Sequence, residues 1–122
     1  MNFFITGATG FLGSYFLKKT LSLNHKVTAL ARPNSETKIE LTKQPKWCRG
    51  YLDDDWSNEL EKCDFFVHFA AEGVINNFDD WERCFEINFA QSQTLIRNAY
   101  ASGIKNFLIC GSCFEYGLSG DK

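Results

Sequence analysis

The stretch Phe3-Phe4-Ile5-Thr6-Gly7-Ala8-Thr9-Gly10-Phe11-Leu12-Gly13-Ser14 links an apolar run to a helical pattern through glycines spaced three apart. Only 9 glycines occur in 122 residues, so three in this spacing is a strong constraint. An apolar strand, a glycine-rich turn and a helix form a phosphate cradle. The first amides of the helix lack intrahelical partners and carry the positive end of its macrodipole. Gly7 allows the tight turn, Gly10 a close backbone approach to phosphate, and Gly13 close packing of helix on strand. Thr6 and Thr9 can bond within the turn. The spacing is G-x-x-G-x-x-G, not G-x-G-x-x-G, and no G-K-[ST] follows, which excludes an ATP-type P-loop. An ordinary glycine-rich connection is the competing reading.

The rest of the chain alternates strand and helix patterns. Strands are expected at Asn2–Thr6, Lys26–Ala31, Lys46–Arg49, Asp64–Ala71 and Asn106–Cys110. Helices are expected at Phe11–Leu23, with Leu12, Tyr15 and Phe16 facing the sheet, and at Asp80–Ser102, stopped by Gly103. Arg32–Gln44 is a polar loop opened by Pro33 and Asn34, with room for a short helix. Asp53–Leu60 reads as an acidic loop with a helical turn. Phe65-Phe66-Val67-His68-Phe69-Ala70 is apolar almost throughout, as suits a strand covered on both faces. The expected fold is α/β: one domain over residues 1–122, a parallel sheet with helices on both faces.

Composition narrows the function. Net charge is −2, with no basic stripe for a nucleic-acid backbone. No apolar run approaches the ~20 residues of a membrane span, and no signal peptide is read at the N-terminus. Five cysteines without a secretory signal favour free thiols and a cytoplasmic location. Asp53-Asp54-Asp55 reads as a solvated loop, and no metal site is expected. Cys110-Gly111-Ser112-Cys113 admits a redox pair, or with Cys63 or His68 a zinc site. Both rank below the phosphate cradle, because thioredoxin-like folds do not open on a glycine-rich phosphate turn and a structural zinc wants four convergent ligands. His68 reads as a core or cofactor-adjacent histidine.

Thr6-Gly7-Ala8-Thr9-Gly10-Phe11-Leu12-Gly13 resembles the dinucleotide motif of the extended short-chain dehydrogenases/reductases, the NAD(P)-dependent sugar-nucleotide epimerases and dehydratases. Val67-His68-Phe69-Ala70-Ala71 is similar to that family's fourth-strand end, Asn88 to the Asn of its long fourth helix, and Ser112-Cys113-Phe114-Glu115-Tyr116-Gly117 to its segment after strand five. The resemblance implies a Rossmann-type three-layer domain with strand order 3-2-1-4-5, in which Gly7, Thr9, Gly10, Phe11, Leu12, Gly13, Phe69, Ala70, Ala71 and Asn88 surround the cofactor. At the end of strand two, Ala31 takes the place of the acid that bonds the ribose of NAD, and Arg32 follows. This leans towards NADP over NAD, unless Arg32 stacks on adenine or faces solvent. Tyr51 replaces the acid of the family's Gly-Asp-Leu, so Tyr51 and Leu52 mark an altered adenine contact, with Tyr51 stacking or merely packing.

By the same resemblance Ser112 takes the role that bonds the substrate oxygen, with helix or turn capping as its alternative. The proton-transferring Tyr-x-x-x-Lys pair is not found after strand five: Tyr116 is followed four residues on by Gly120, and Tyr15-x-x-x-Lys19 lies on the first helix. The chain is therefore expected to be the cofactor half of a nucleotide-sugar epimerase, dehydratase or reductase, of the kind common in surface-polysaccharide synthesis. It is expected to be inactive alone, with strand five as a bare edge. Family members are about twice this length or more and often dimerise through the fourth helix and the one after it; only the first of these is expected here, which leaves assembly open, a homodimer included. The alternative is a non-catalytic NAD(P)-binding sensor or interaction module.

Overall fold

A computed structural model describes residues 1–72 and 80–112. Five strands, β1 (Asn2–Thr6), β2 (Lys26–Ala31), β3 (Lys46–Arg49), β4 (Phe65–His68) and β5 (Asn106–Ile109), form one sheet in the order β3-β2-β1-β4-β5. Every pairing is parallel, with Ile5 opposite Ala29 on one side and Val67 on the other. Between the strands run α1 (Phe11–Ser22), α2 (Ser57–Leu60), and a long helix composed of α3 (Trp81–Phe85), a π-helical stretch (Glu86–Gln91) and α4 (Ser92–Ala101).

Successive strand residues point to opposite faces, and both faces are covered. Ile5, Ala29 and Val67 pack with Leu17 and Leu21 of α1. Their neighbours Phe4, Leu30 and Phe66 pack on the other face with Leu60 of α2 and with Leu95 and Ala99 of α4. This is why the strand sequences read as unbroken apolar runs. Asn24, at φ 64°, ends the turn after α1, and Gly103, at φ 95°, ends α4, with Ile104 N–H returning to the Ala99 carbonyl at 3.2 Å.

Four expectations need correction. In α1 the buried face is Gly13, Ser14, Leu17, Thr20 and Leu21, whereas Leu12 and Tyr15 are each 56% exposed. The reason is steric: the start of α1 lies so close to β1 that only the smallest side chains fit beneath it. Second, β4 stops at His68 because Phe69–Ala71 leave the ladder to cross the glycine turn, where Ala70 N–H donates to the Thr6 hydroxyl at 3.3 Å. Third, the loop over 32–44 contains no helix; a turn closed by Ser35 N–H to Arg32 C=O opens it. Fourth, the long helix is not uniform, and its π-helical stretch contains Asn88, whose side chain binds the Glu72 backbone beyond the end of β4. On the outer strand β5, Leu108 and Ile109 are about half exposed.

The glycine packing is checked by substitution. A Cβ on Gly13 would lie 2.0 Å from the Gly7 carbonyl oxygen, an impossible contact, whereas one on Gly10 would lie 3.3 Å from it. Gly13→Ala should therefore lower the unfolding free energy by at least ~2 kcal/mol, and Gly10→Ala by less than ~1 kcal/mol, in urea titration. Equal losses would contradict this packing.

Candidate functional site

The candidate site lies at the C-terminal edge of the sheet, where open α/β folds place their ligands. Thr6 ends β1 and Gly7 turns the chain at φ 67°. A Cβ there would lie 2.5 Å from Ala70 N and 2.6 Å from Phe69 C, so the exit of β4 passes directly over this residue. Gly10 N–H donates to Gly7 C=O at 3.0 Å and Ser14 N–H to Gly10 C=O at 2.9 Å. Gly10 caps α1 without any side-chain bond, and the first turn carries no acidic residue. The amides of Phe11, Leu12 and Gly13 thus open the helix with neither a capping side chain nor an acid competing for them. A diphosphate suits such a cradle, and the positive helix end favours it. Thr9 bonds the Ser35 hydroxyl at 2.7 Å, tying the turn to the loop after β2 rather than to itself.

Behind the turn lies a closed chain of hydrogen bonds. The Ser92 hydroxyl donates to Ile87 C=O at 2.7 Å, across the widened π-helical turn. It must then accept from His68 Nε2–H, 2.9 Å away. That leaves His68 Nδ1 as the acceptor for the Thr6 hydroxyl at 2.7 Å, and Thr6 Oγ1 accepts Ala70 N–H. His68 is therefore neutral, a single tautomer, and joins β1, β4 and the long helix. Burial pushes its pKa down to about 4. With both ring nitrogens engaged, His68 offers no lone pair to a metal. Cys63 lies at the opposite end of β4, where burial raises its thiol to about 11 and it bonds Glu59 C=O. Among the described residues no cluster of three or more His, Cys, Asp or Glu could hold a metal ion. Cys110 is exposed, while Cys113, Tyr116 and Gly117 lie outside the described residues.

The structure brings Phe69 and Ala70 beside the turn, and Ala71 follows them, exposed. Asn88 is engaged elsewhere: its side chain accepts Glu72 N–H at 2.7 Å and donates to Glu72 C=O at 2.9 Å. Arg32 follows β2 and lies 3.9 Å from the Glu72 carboxylate, which also meets Arg83 at 3.3 Å. Tyr51 is exposed and its N–H is held by Asp54 at 2.7 Å, whereas the Leu52 side chain is buried in the core below β3. Ser112 lies three residues beyond β5, at the same edge. Sequence reasoning missed Glu72 and the pairing of His68 with Ser92. A polar residue inside an apolar strand signalled the histidine, but no spacing marks a partner 24 residues away.

Because His68 is held neutral, the unfolded chain binds more protons as pH falls below the ordinary histidine value of 6.5. Its contribution to stability is complete above that value and is lost as pH falls towards the folded value of about 4. Wild type should lose about 2 kcal/mol of this contribution between pH 7.5 and pH 5, and His68→Gln should lack that component of the pH dependence in urea unfolding. Parallel pH profiles would contradict the assignment.

The sequence profile of the NAD dependent epimerase/dehydratase family matches residues 3–122. A Synechocystis sp. protein provisionally named dihydroflavonol 4-reductase is 28% identical over 120 residues, which cover 98% of this chain and 35% of that protein. The sterol-4-alpha-carboxylate 3-dehydrogenase (decarboxylating) of Dictyostelium discoideum is 30% identical over 78 residues, 62% of this chain and 24% of that one. The UDP-glucose 4-epimerase of Stenotrophomonas maltophila, solved with bound NAD and formylated UDP-arabinopyranose, superimposes with a TM-score of 0.79 at 20% identity, over 96% of this chain and 38% of that one. The chain spans about a third or less of the length of these two sequence relatives. With the glycine turn, the strand order and the profile match over residues 3–122 in agreement, the chain belongs to the NAD dependent epimerase/dehydratase family.

Proposed function

We propose that this chain is the NAD(P)-holding domain of an oxidoreductase that acts on a nucleotide sugar. The observation that carries the reading is the glycine turn: a backbone cradle with no room for side chains at Gly7 and Gly13, opening a helix with no side-chain cap. The amides of Phe11, Leu12 and Gly13 would hold the diphosphate, with Gly7, Thr9 and Gly10 shaping the turn. Arg32, Tyr51 and the backbone at Leu52 would face the adenosine end, and Phe69, Ala70 and Ala71 would flank the dinucleotide. Asn88 would act through Glu72, whose backbone it fixes. When bound, the nicotinamide supplies hydride acceptance and donation. Ser112 would donate a hydrogen bond to the substrate oxygen, fixing the carbon that reacts.

The nucleotide-sugar assignment is supported by solved neighbours of the same fold whose bound ligands are UDP sugars. The named sequence relatives, a reductase and a sterol dehydrogenase, are oxidoreductases too, which favours hydride chemistry at a hydroxyl or carbonyl group. Trp81, Phe85 and Phe89 leave an exposed aromatic row on the long helix, which supports pairing of two copies there.

Titration of the full chain with NADH, followed by nicotinamide fluorescence, tests the cradle. Gly10→Asp introduces a carboxylate beside the diphosphate, at a position where a Cβ makes a tight 3.3 Å contact with the Gly7 carbonyl oxygen rather than the 2.0 Å clash found at Gly13. It should weaken NADH by at least ~30-fold without lowering the melting temperature comparably. Equal affinity of wild type and variant would refute the site.

A further inference from the structure

The end of β2 offers a dinucleotide no acid, since Ala31 stands there and Arg32 follows. A carboxylate nevertheless reaches this place from another strand. Glu72 leaves β4 just beyond Ala71, and Arg32 leaves β2, while β1 with its glycine turn lies between them in the sheet. Two strand spacings, roughly 10 Å, separate β2 from β4. The Arg32–Glu72 pair at 3.9 Å therefore arches over the edge that carries the glycine turn.

Glu72 is also aimed. Asn88 holds its backbone by both the N–H and the C=O, at 2.7 and 2.9 Å, and Arg83 holds its Oε1 at 3.3 Å. That leaves Oε2 turned to Arg32. An arginine free at this position attracts a 2′-phosphate; one already facing a fixed carboxylate has part of that attraction cancelled. The same carboxylate repels a phosphate monoester of charge near −2, and offers an acceptor to an unphosphorylated ribose hydroxyl.

We infer that Glu72 is the residue that sets cofactor choice, supplying from β4 the acid that β2 lacks and turning the site from NADP towards NAD. Arg32 is thus a partner of Glu72 first and a phosphate ligand only when that acid is removed. The inference rests on the cofactor site proposed above.

The test is titration of the full chain with NADH and NADPH in wild type, Glu72→Gln and the double variant Glu72→Gln/Arg32→Ala. Glutamine keeps the shape and leaves the backbone bonds from Asn88 in place. Wild type should bind NADH more tightly than NADPH. Glu72→Gln should shift the ratio of the two dissociation constants towards NADPH by at least about fivefold, chiefly by tightening NADPH. Adding Arg32→Ala should reverse that gain. A ratio unchanged within twofold, or NADPH already preferred by wild type, would overturn the role of Glu72 while leaving the cradle intact. Binding of neither dinucleotide to wild type would overturn both.

Discussion

The contact of Gly13 with the Gly7 carbonyl is the constraint on which the remainder of the structure depends. It brings the backbone of α1 against the end of β1 with no side chain between them. Close seating has three consequences. It turns the large residues of the first helical turn outward, which is why Leu12 and Tyr15 are exposed. It points the first helical amides past the sheet edge. It also leaves space above Gly7 for the exit of β4, whose Phe69 and Ala70 backbone could not pass a side chain there.

The exit of β4 then needs support of its own, because its residues give up ladder bonds as they cross. Thr6, His68 and Ser92 supply part of it, as a directed chain of hydrogen bonds ending on the carbonyl of Ile87. Asn88 supplies the rest by binding Glu72 on both sides of the peptide. Asn88 lies within the π-helical stretch Glu86–Gln91 and Ser92 directly follows it, the wider turn bringing the Ser92 hydroxyl onto the Ile87 carbonyl. A π-helical insertion costs helix regularity, and here its residues fasten the strand end that flanks the candidate site. Buried polar chains of this kind are favourable only when every member is satisfied; no buried side-chain polar atom among the described residues lacks a partner.

Much of this was legible in the sequence. The five strands, the parallel sheet and the glycine turn follow from apolar runs and the spacing of Gly7, Gly10 and Gly13, and the strand order from the family resemblance. What escaped the reading was geometry set by tertiary approach. The Leu12-Tyr15-Phe16 stripe has correct helical spacing, but the stripe that packs is chosen by the distance between helix and sheet, which favours Gly13 and Ser14. The end of β4 was placed three residues late because Phe69-Ala70-Ala71 is as apolar as the strand before it, and only the crossing over Gly7 breaks the ladder. Asn88 stands out only through the family resemblance, and its partner Glu72 carries no local mark.

The central claim is that the opening amides of α1 receive the diphosphate of a dinucleotide. Amide chemical shifts of the 15N-labelled full chain, recorded while NADH and then adenosine are added, test it most directly. NADH should produce its largest shifts at the amides of Phe11, Leu12 and Gly13, and adenosine, which has no phosphate, should leave those three nearly unmoved. Shifts from NADH that spare these amides and cluster at the opposite edge of the sheet would contradict it.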